Sequence, residues 1–255
     1  MKREDYLLLE NYMLRCMGDS AHDREHVYRV LHIALQIAET EEKVDTDVLI
    51  AACLLHDIGR QTQARNPKLC HAQVGAKRAA RFLKKQRFPE EFSNRVCSCI
   101  LTHRFRKENP PGSLEAQILF DADKLDVTGA VGIARTLLYQ GEAVRPLYTR
   151  DGNGNINDGT EDPEDSFFRE YKFKLEKIYS RFYTKKGREM ALARQEAAVR
   201  FYRDLLEEVR TDFAHADNLE ALLEGEGRED IPWTNSSWYP NTSPPVTSRR
   251  PLKPW

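Results

Sequence analysis

Hydrophobic side chains recur at helical spacing along most of the chain. Residues 23–39 place five apolar side chains on one helix face, Val27, Val30, Ala34, Ile37 and Ala38. The next stretch begins at Asp45, runs through VLIAACLLH and stops at Gly59. Because this stretch is apolar nearly all round, we expect it to form a helix in the middle of the protein. His56 and Asp57 then lie at the buried end of a core helix.

Further helical patterns cover most of the remaining sequence. The additional predicted helices are 71–85, 89–102, 113–140, 166–183 and 187–213. Gly129 and Gly132 interrupt the third of these patterns, which predicts either close packing or a bend. No alternating strand pattern is found, so the sequence predicts an all-α helical bundle.

We expect one helical domain, residues 1–224, followed by a tail. Within it, residues 151–163 (DGNGNINDGTEDP) are rich in turn formers and match a calcium-binding loop poorly, because Ile156 replaces the turn glycine. We interpret this segment as a solvated loop insertion. Residues 225–255 are rich in Pro, Ser and Thr without periodicity, which predicts a disordered tail.

The composition of the 255 residues excludes several classes of protein. The 39 Lys and Arg residues nearly balance the 40 Asp and Glu residues, and no basic run of five residues occurs, so we expect no nucleic-acid partner. The longest apolar run is far shorter than the roughly 20 residues of a membrane-spanning helix, so we expect no membrane partner. The polar start MKRED lacks the apolar stretch of a secretory signal. The cysteines are five, an odd number, and most lie within apolar helical patterns, which is typical of reduced thiols. We therefore expect a cytoplasmic protein.

Several ionisable side chains interrupt apolar helical patterns. Four histidines fall at predicted helix ends: His26, His56, His71 and His103. Asp57 follows His56 directly, and Asp123 lies in the otherwise apolar run ILFDADKLDV. A buried aspartate is unfavourable unless a cation or several hydrogen bonds compensate it. This pattern points to a neutralising cation.

A divalent metal ion would provide that compensation. Two imidazoles and two carboxylates form a mixed nitrogen and oxygen set suited to Mn²⁺, Mg²⁺, Ni²⁺, Co²⁺, Fe²⁺ or Zn²⁺. Adjacent residues on a helix point about 100° apart, so His56 and Asp57 can share an ion only if it lies between them. We therefore expect His26 and Asp123 to complete the site from other helices.

The ordered set resembles the HD-domain metal-dependent phosphohydrolases, whose signature is H…HD…D on a helical bundle. The matching residues are His26 in DREHVYRV, His56 and Asp57 in LLHDIGR, and Asp123 in DADKLDVTGAVGIAR. The resemblance is to the small bacterial HD hydrolases that carry a DADKLD…GIAR segment, and it covers about residues 19–210. It implies that these four residues bind one metal ion. Asp121 and Asp126 are near neighbours, but the family pattern places the ligand at the aspartate after alanine.

The resemblance leaves two roles open for His71 and His103. In binuclear members, similarly ordered histidines hold a second ion, whereas in mononuclear members this region contacts the phosphate or the leaving group. Some family members carry a glutamate where this chain has Arg60, so we take His71 and His103 as candidate general acids or bases, with Asp126 behind them. Four cations flank the predicted ligands and could attract phosphate: Arg60, Arg104, Lys124 and Arg135.

The function implied is hydrolysis of a phosphoester or phosphoanhydride by a metal-activated water, with Lys124 among the catalytic candidates. The resemblance favours nucleotides as the small phosphorylated substrate. No phosphate-binding GxxxxGK[ST] pattern is present, which argues against ATP-driven transfer. The alternative is a nucleotide-sensing or scaffold module that keeps the metal and has little turnover.

Overall fold

The computed structural model describes residues 1–17, 21–104, 108–214 and 223, without the side chains of residues 21–23. The α-helices are α1 Arg3–Met17, α2 Ala21–Ala38, α3 Thr46–Leu55, α4 Arg60–Arg65, α5 His71–Lys85, α6 Glu90–Thr102, α7 Leu114–Leu125, α8 Gly129–Glu142, α9 Phe167–Glu170 and α10 Lys185–Phe213. The described residues contain no β-strand, and one isolated antiparallel bridge joins Arg150 and Ile156. The all-α prediction is confirmed. The predicted tail, residues 225–255, lies outside the described residues.

The chain divides into two compact units. The first comprises Met1–Ile133 and Ile178–Glu196, and the second comprises Ala134–Lys177 and Ala197–Trp255. The predicted organisation, with one domain over residues 1–224, stays a prediction beside this division. Within the described residues, no helix is both long enough and apolar enough to cross a bilayer.

Helix α3 is the centre of the first unit. It contacts α1, α2, α6 and α7, and seven of its ten residues are buried. Asp45 caps its first turn, because the Asp45 side chain accepts a hydrogen bond from the Val48 amide at 3.1 Å. The central helix predicted from the apolar run is thus confirmed, and its last turn carries His56 and Asp57 into the interior.

The predicted helix over 113–140 is wrong in one respect, because it consists of two helices. Helix α7 ends at Leu125, and α8 begins at Gly129, whose φ of 61° is accessible to glycine at little steric cost. A Cβ at Gly129 would lie 2.9 Å from the Cβ of Arg194. The sequence thus predicted the position of the interruption, and the contact with α10 supplies its physical reason.

The second unit has an aromatic core. The rings of Tyr171 and Tyr202 stack with centroids 4.0 Å apart, and Phe167 and Phe168 are buried beside them. The helix predicted over 166–183 is α9 followed by a π-helical turn, Tyr171–Leu175, and a 3₁₀ turn, Ile178–Ser180.

The polar loop 151–163 is exposed at its start and partly buried further on. Asp151 accepts hydrogen bonds from the amides of Asn153 and Asn155, which close a local turn at the surface. Ile156 and Asp162, by contrast, are only 6% and 5% exposed. The interpretation of the segment as solvated therefore holds for most of its residues, including Thr160, Glu161 and Pro163, but not for Ile156 and Asp162.

Candidate metal centre

Five helices of the first unit bring six ionisable side chains to one place. His26 comes from α2, His71 is the first residue of α5, and Asp123 lies in the last turn of α7. The other three follow helices directly: His56 and Asp57 after α3, and His103 after α6. All six side chains are buried, and the most exposed residue among them is Asp123 at 7%.

His26, His56 and Asp123 form the first group of mutually close donor atoms. The Nε2 atoms of His26 and His56 are 3.3 Å apart. Oδ1 of Asp123 also lies 3.3 Å from Nε2 of His26. Three helices therefore present one donor atom each to a common point.

Asp57, His71 and His103 form the second group. The Nε2 atoms of His71 and His103 are 3.1 Å apart. Oδ1 of Asp57 lies 3.4 Å from the first of these nitrogens and 3.7 Å from the second.

Asp57 lies between the two groups. While its Oδ1 faces His71 and His103, its Oδ2 lies 3.5 Å from Nε2 of His26 and 3.6 Å from Nε2 of His56. The two oxygens of one carboxylate therefore contact different pairs of imidazoles. The four residues predicted as ligands of one ion, His26, His56, Asp57 and Asp123, are brought together, and so are the two histidines with an open role.

Hydrogen bonds on the far side of each ring fix the histidine tautomers. Nδ1 of His56 donates to the carbonyl of Cys53 at 2.7 Å, and Nδ1 of His103 donates to the carbonyl of Ile100 at 2.6 Å. A carbonyl oxygen can only accept, so the proton of a neutral ring lies on Nδ1 and Nε2 carries a lone pair.

For the other two rings, the acceptor of the Nδ1 proton is a side chain. Nδ1 of His26 is 2.7 Å from Oδ2 of Asp126, and Nδ1 of His71 is 2.6 Å from Oε1 of Gln63. All four Nε2 lone pairs are consequently directed into the cluster, which is the arrangement that metal-ligating histidines require.

Burial keeps three of the four imidazoles, those of His56, His71 and His103, neutral. Burial lowers the pKa of His71 to about 2 and that of His103 to about 3, and it lowers the pKa of His56 as well. A neutral imidazole is the form that binds a metal ion.

The two carboxylates are held ionised. Burial raises the pKa of Asp57, but the adjacent Arg60 guanidinium lowers it, and the net pKa lies well below the usual range. Burial raises the pKa of Asp123 too, but the adjacent Lys124 ammonium lowers it, and the net pKa is likewise well below the usual range.

The six side chains fit a divalent cation. Donor atoms about 2.0 to 2.2 Å from a common ion stand roughly 3 to 3.5 Å from one another, and the donor separations here run from 3.1 to 3.7 Å. Oδ1 of Asp57 is moreover one of the buried polar atoms for which the described residues provide no hydrogen-bond partner. Imidazole lone pairs and ionised carboxylates are all acceptors, so a buried cluster of them is stable only with a cation between them.

Two predicted cations contact the carboxylates directly. Nε of Arg60 lies 2.6 Å from Oδ2 of Asp57, and Nζ of Lys124 lies 2.6 Å from Oδ2 of Asp123. Arg104 is buried and donates to the sulfur of Cys70, the residue before His71. Arg135 belongs to the second unit.

The neighbouring aspartates have other partners. Asp121 accepts hydrogen bonds from the amides of Tyr183 and Thr184, so it anchors the chain entering α10. Both oxygens of Asp126 accept hydrogen bonds. Oδ1 accepts from Nε of Arg29 at 2.6 Å, and Oδ2 accepts from Arg29 at 3.0 Å and from His26 at 2.7 Å.

Sequence reasoning missed two residues that orient ligands, Arg29 and Gln63. Arg29 lies three residues after His26 on the same helix face, which was the available signal. Gln63 gave no such signal, because its contact with His71 depends on how α4 packs against α5.

Comparisons with known proteins agree with this site. Residues 24–128, which contain all six side chains of the cluster, match the HD domain family. The curated protein YpgQ of Bacillus subtilis is 29% identical over 194 residues, which is 74% of this chain and 85% of YpgQ. The crystal structure of a predicted HD superfamily hydrolase from an uncultured Thermotogales bacterium is 30% identical, with a TM-score of 0.53, over 81% of this chain and 92% of that one.

A second structure adds a ligand to the comparison. The crystal structure of YpgQ in complex with ADP is 25% identical, with a TM-score of 0.62, over 80% of this chain and 97% of that chain. The helical fold and the clustered H…HD…D residues together define an HD domain. The chain belongs to the HD-domain family.

Proposed function

We propose that this HD-domain protein is a metal-dependent phosphohydrolase that cleaves phosphoester or phosphoanhydride bonds of nucleotides. The observation that carries the proposal is the convergence of four Nε2 lone pairs and two ionised carboxylates at separations of 3.1 to 3.7 Å. The ADP complex of YpgQ supports a nucleotide as the substrate class. The five free cysteines support the expected cytoplasmic location, where thiols stay reduced.

The proposed metal ligands are His26, His56, Asp57 and Asp123. For His71 and His103 we choose the role of ligands to a second ion, because their Nε2 atoms face Oδ1 of Asp57 as the other pair faces its Oδ2. An imidazole whose Nε2 serves as a ligand has no proton to transfer there. Of the three catalytic candidates, Lys124 then remains for proton transfer or charge stabilisation.

When bound, a divalent cation polarises a phosphoryl oxygen and lowers the pKa of a coordinated water toward about 7. The chain contributes three further effects. The hydrogen bonds to Nδ1 hold each ring in its ligating tautomer. Arg60 and Lys124 place positive charge beside Asp57 and Asp123, where it offsets the charge of an incoming phosphate. The buried walls of α3 and α7 exclude bulk water.

The proposal is tested by metal analysis and a substrate panel. Purified protein is loaded with Mn²⁺ and assayed against nucleoside mono-, di- and triphosphates and a generic phosphodiester, with release of phosphate and pyrophosphate measured separately. We expect turnover of at least one nucleotide and its loss in Asp57→Ala. Binding of metal and nucleotide without product release would contradict the hydrolase and favour the sensing module.

A further inference from the structure

A second feature of the first unit is a long segment without any carboxylate side chain. Residues 58–89 contain no Asp or Glu, although the whole chain has a formal net charge of −1. The same segment carries nine cationic residues: Arg60, Arg65, Lys68, Lys77, Arg78, Arg81, Lys84, Lys85 and Arg87. Apart from Arg60 and Arg78, these side chains are exposed. Positive charge is therefore concentrated on α4, α5 and the chain that flanks them.

The exposed cations of this segment are not neutralised by neighbouring acids. Within the parts of the chain that the structure describes, none of the seven forms an ion pair. Other helical segments differ, since Lys185 pairs with Glu189 and Arg200 pairs with Asp204 one turn away. These two exposed cations thus have acidic partners at helical spacing, whereas the exposed cations of α5 form no ion pair with the described residues.

The helix places several of these charges in one row. Lys77, Arg81 and Lys84 follow one another at intervals of four and three residues, so they lie on the same face of α5. At 1.5 Å per residue the row is about 10 Å long. The other exposed residues of α5, Gln73 and Ala80, are uncharged. We call this row, with Lys85 and Arg87 at its end, the α5 basic face.

We propose that the α5 basic face binds the phosphate backbone of a nucleic acid duplex without reading its bases. Interfaces with nucleic acid are polar and positively charged, and Lys, Arg and polar side chains such as Gln contact their phosphates. The face offers no exposed aromatic side chain on α5 for stacking on bases. The contact is therefore electrostatic and independent of sequence.

Two other partners fit the face less well. A protein partner requires an apolar patch at the centre of the interface, and the exposed side chains of α5 are charged, amide or alanine. A membrane-surface helix inserts apolar side chains into lipid, whereas those of α5, including Phe82 and Leu83, are buried in the protein core. The proposal revises the expectation from the sequence, which considered contiguous basic runs and not a helix face. It does not depend on the proposed phosphohydrolase activity.

The test measures binding of a fluorescent 20-base-pair duplex of arbitrary sequence, in DNA and RNA versions, by anisotropy between 50 and 200 mM NaCl. The variant combines Lys77→Gln, Arg81→Gln and Lys84→Gln, which preserve helix propensity. The matched control combines Lys185→Gln, Arg200→Gln and Arg203→Gln, whose cations are exposed and lie within 4.0 Å of a carboxylate. Both triple variants lower the formal charge by three.

We expect the wild type and the control to bind at least one duplex with an affinity that falls steeply with salt. The test variant should bind about tenfold or more weakly at 50 mM NaCl, and its log–log salt slope should be shallower by about 2.7, or about 0.9 for each phosphate contact removed. If the triple variant does not fold by circular dichroism, Lys84→Gln with Lys85→Gln should reduce the slope by about 1.8. The DNA and RNA arms show which duplex is preferred.

Three results would overturn the proposal. In the first, the wild type binds neither duplex at 50 mM NaCl. In the second, the test variant and the control lose affinity equally. In the third result, the protein binds vesicles containing 30% phosphatidylserine but not nucleic acid, which would assign the face to a membrane surface.

Discussion

Asp126 lies directly behind His26, with its Oδ2 at 2.7 Å from Nδ1 of the ring. The opposite nitrogen of the same ring, Nε2, faces Asp123 at 3.3 Å. Arg29 holds Asp126 in turn through hydrogen bonds of 2.6 and 3.0 Å. One ring is therefore oriented from behind by an ion pair and presents its lone pair to the cluster.

We predict that Asp126→Asn weakens metal binding about 10- to 100-fold, because it removes the charged acceptor that fixes the His26 tautomer. Affinity is measured by competition with a fluorescent chelator, and the tautomer is read from the ¹⁵N shifts of the histidine rings in metal-free protein. Asp121→Asn is the matched control, since it makes the same change in the same run and has no contact with His26. Equal metal affinities for both variants would show that Asp126 does not position His26.

Metal stoichiometry distinguishes the two roles of His71 and His103. If they hold a second ion with Asp57, His71→Ala should lower the metal content from about two ions per chain to about one, measured by mass spectrometry after dialysis. His103→Ala should do the same, because the two Nε2 atoms are 3.1 Å apart. One ion in the wild type and in both variants would return these histidines to a role at the phosphate or leaving group.

Asp121 is predicted to contribute to stability and not to metal binding. Its carboxylate accepts from the amide of Tyr183 and from both the amide and the hydroxyl of Thr184. Asp121→Ala leaves these donors without their partner, so the free energy of unfolding in urea should fall by about 3 kcal/mol. Metal content should be unchanged in the folded variant, and a loss of metal with unchanged stability would contradict this role.

The stability of metal-free protein should decrease as the pH falls below about 6.5. His56, His71 and His103 have lowered pKa values when folded, so the unfolded chain binds protons that the folded chain does not. Each histidine contributes at most about 1.4 kcal/mol per pH unit between its unfolded and folded pKa values. The lowered pKa values of Asp57 and Asp123 act in the same direction below pH about 4. Urea unfolding in EDTA at pH 7 and 5.5 checks this, and equal stability at both values would refute it.

Gly59 is predicted to be essential for bringing His71 to Asp57. A Cβ at Gly59 would overlap the carbonyl oxygen of His71 and lie 2.8 Å from the amide nitrogen of Gly75. Gly59→Ala should therefore reduce stability by about 3 kcal/mol and weaken metal binding. Gly112→Ala is the control, because a Cβ there meets no atom within 4 Å, and its effect should stay within about 0.5 kcal/mol. A fully stable Gly59→Ala protein with normal metal content would disprove the requirement.

Amphipathic periodicity was sufficient to predict several helices closely. The predicted helix 71–85 agrees with α5 at both ends, and the predicted helix 89–102 differs from α6 by one residue. Both have a regular apolar stripe that packs against the other helix. Helix α1 was not predicted, and its three buried residues, Leu9, Met13 and Met17, recur at every fourth position and form only a narrow stripe.

The contents of the site were easier to predict from the sequence than its geometry. Ionisable residues in apolar helix ends stand out locally, which is why all six clustered side chains could be singled out. Their grouping could not be deduced, since the division of Asp57 between two imidazole pairs depends on how four helices pack. The role of Arg29 was hidden for the same reason, because its partner Asp126 lies 97 residues away.

The four imidazoles differ in whether mutation can replace the hydrogen-bond acceptor behind the ring. His56 and His103 donate to main-chain carbonyls, which are present whatever side chain occupies Cys53 or Ile100. His26 and His71 depend on the side chains of Asp126 and Gln63, which a single codon can alter. Evolutionary drift or deliberate engineering can therefore change the basicity of one histidine in each group while that of the other stays constant. Asp126 and Gln63 are the positions at which substitution would alter the metal preference.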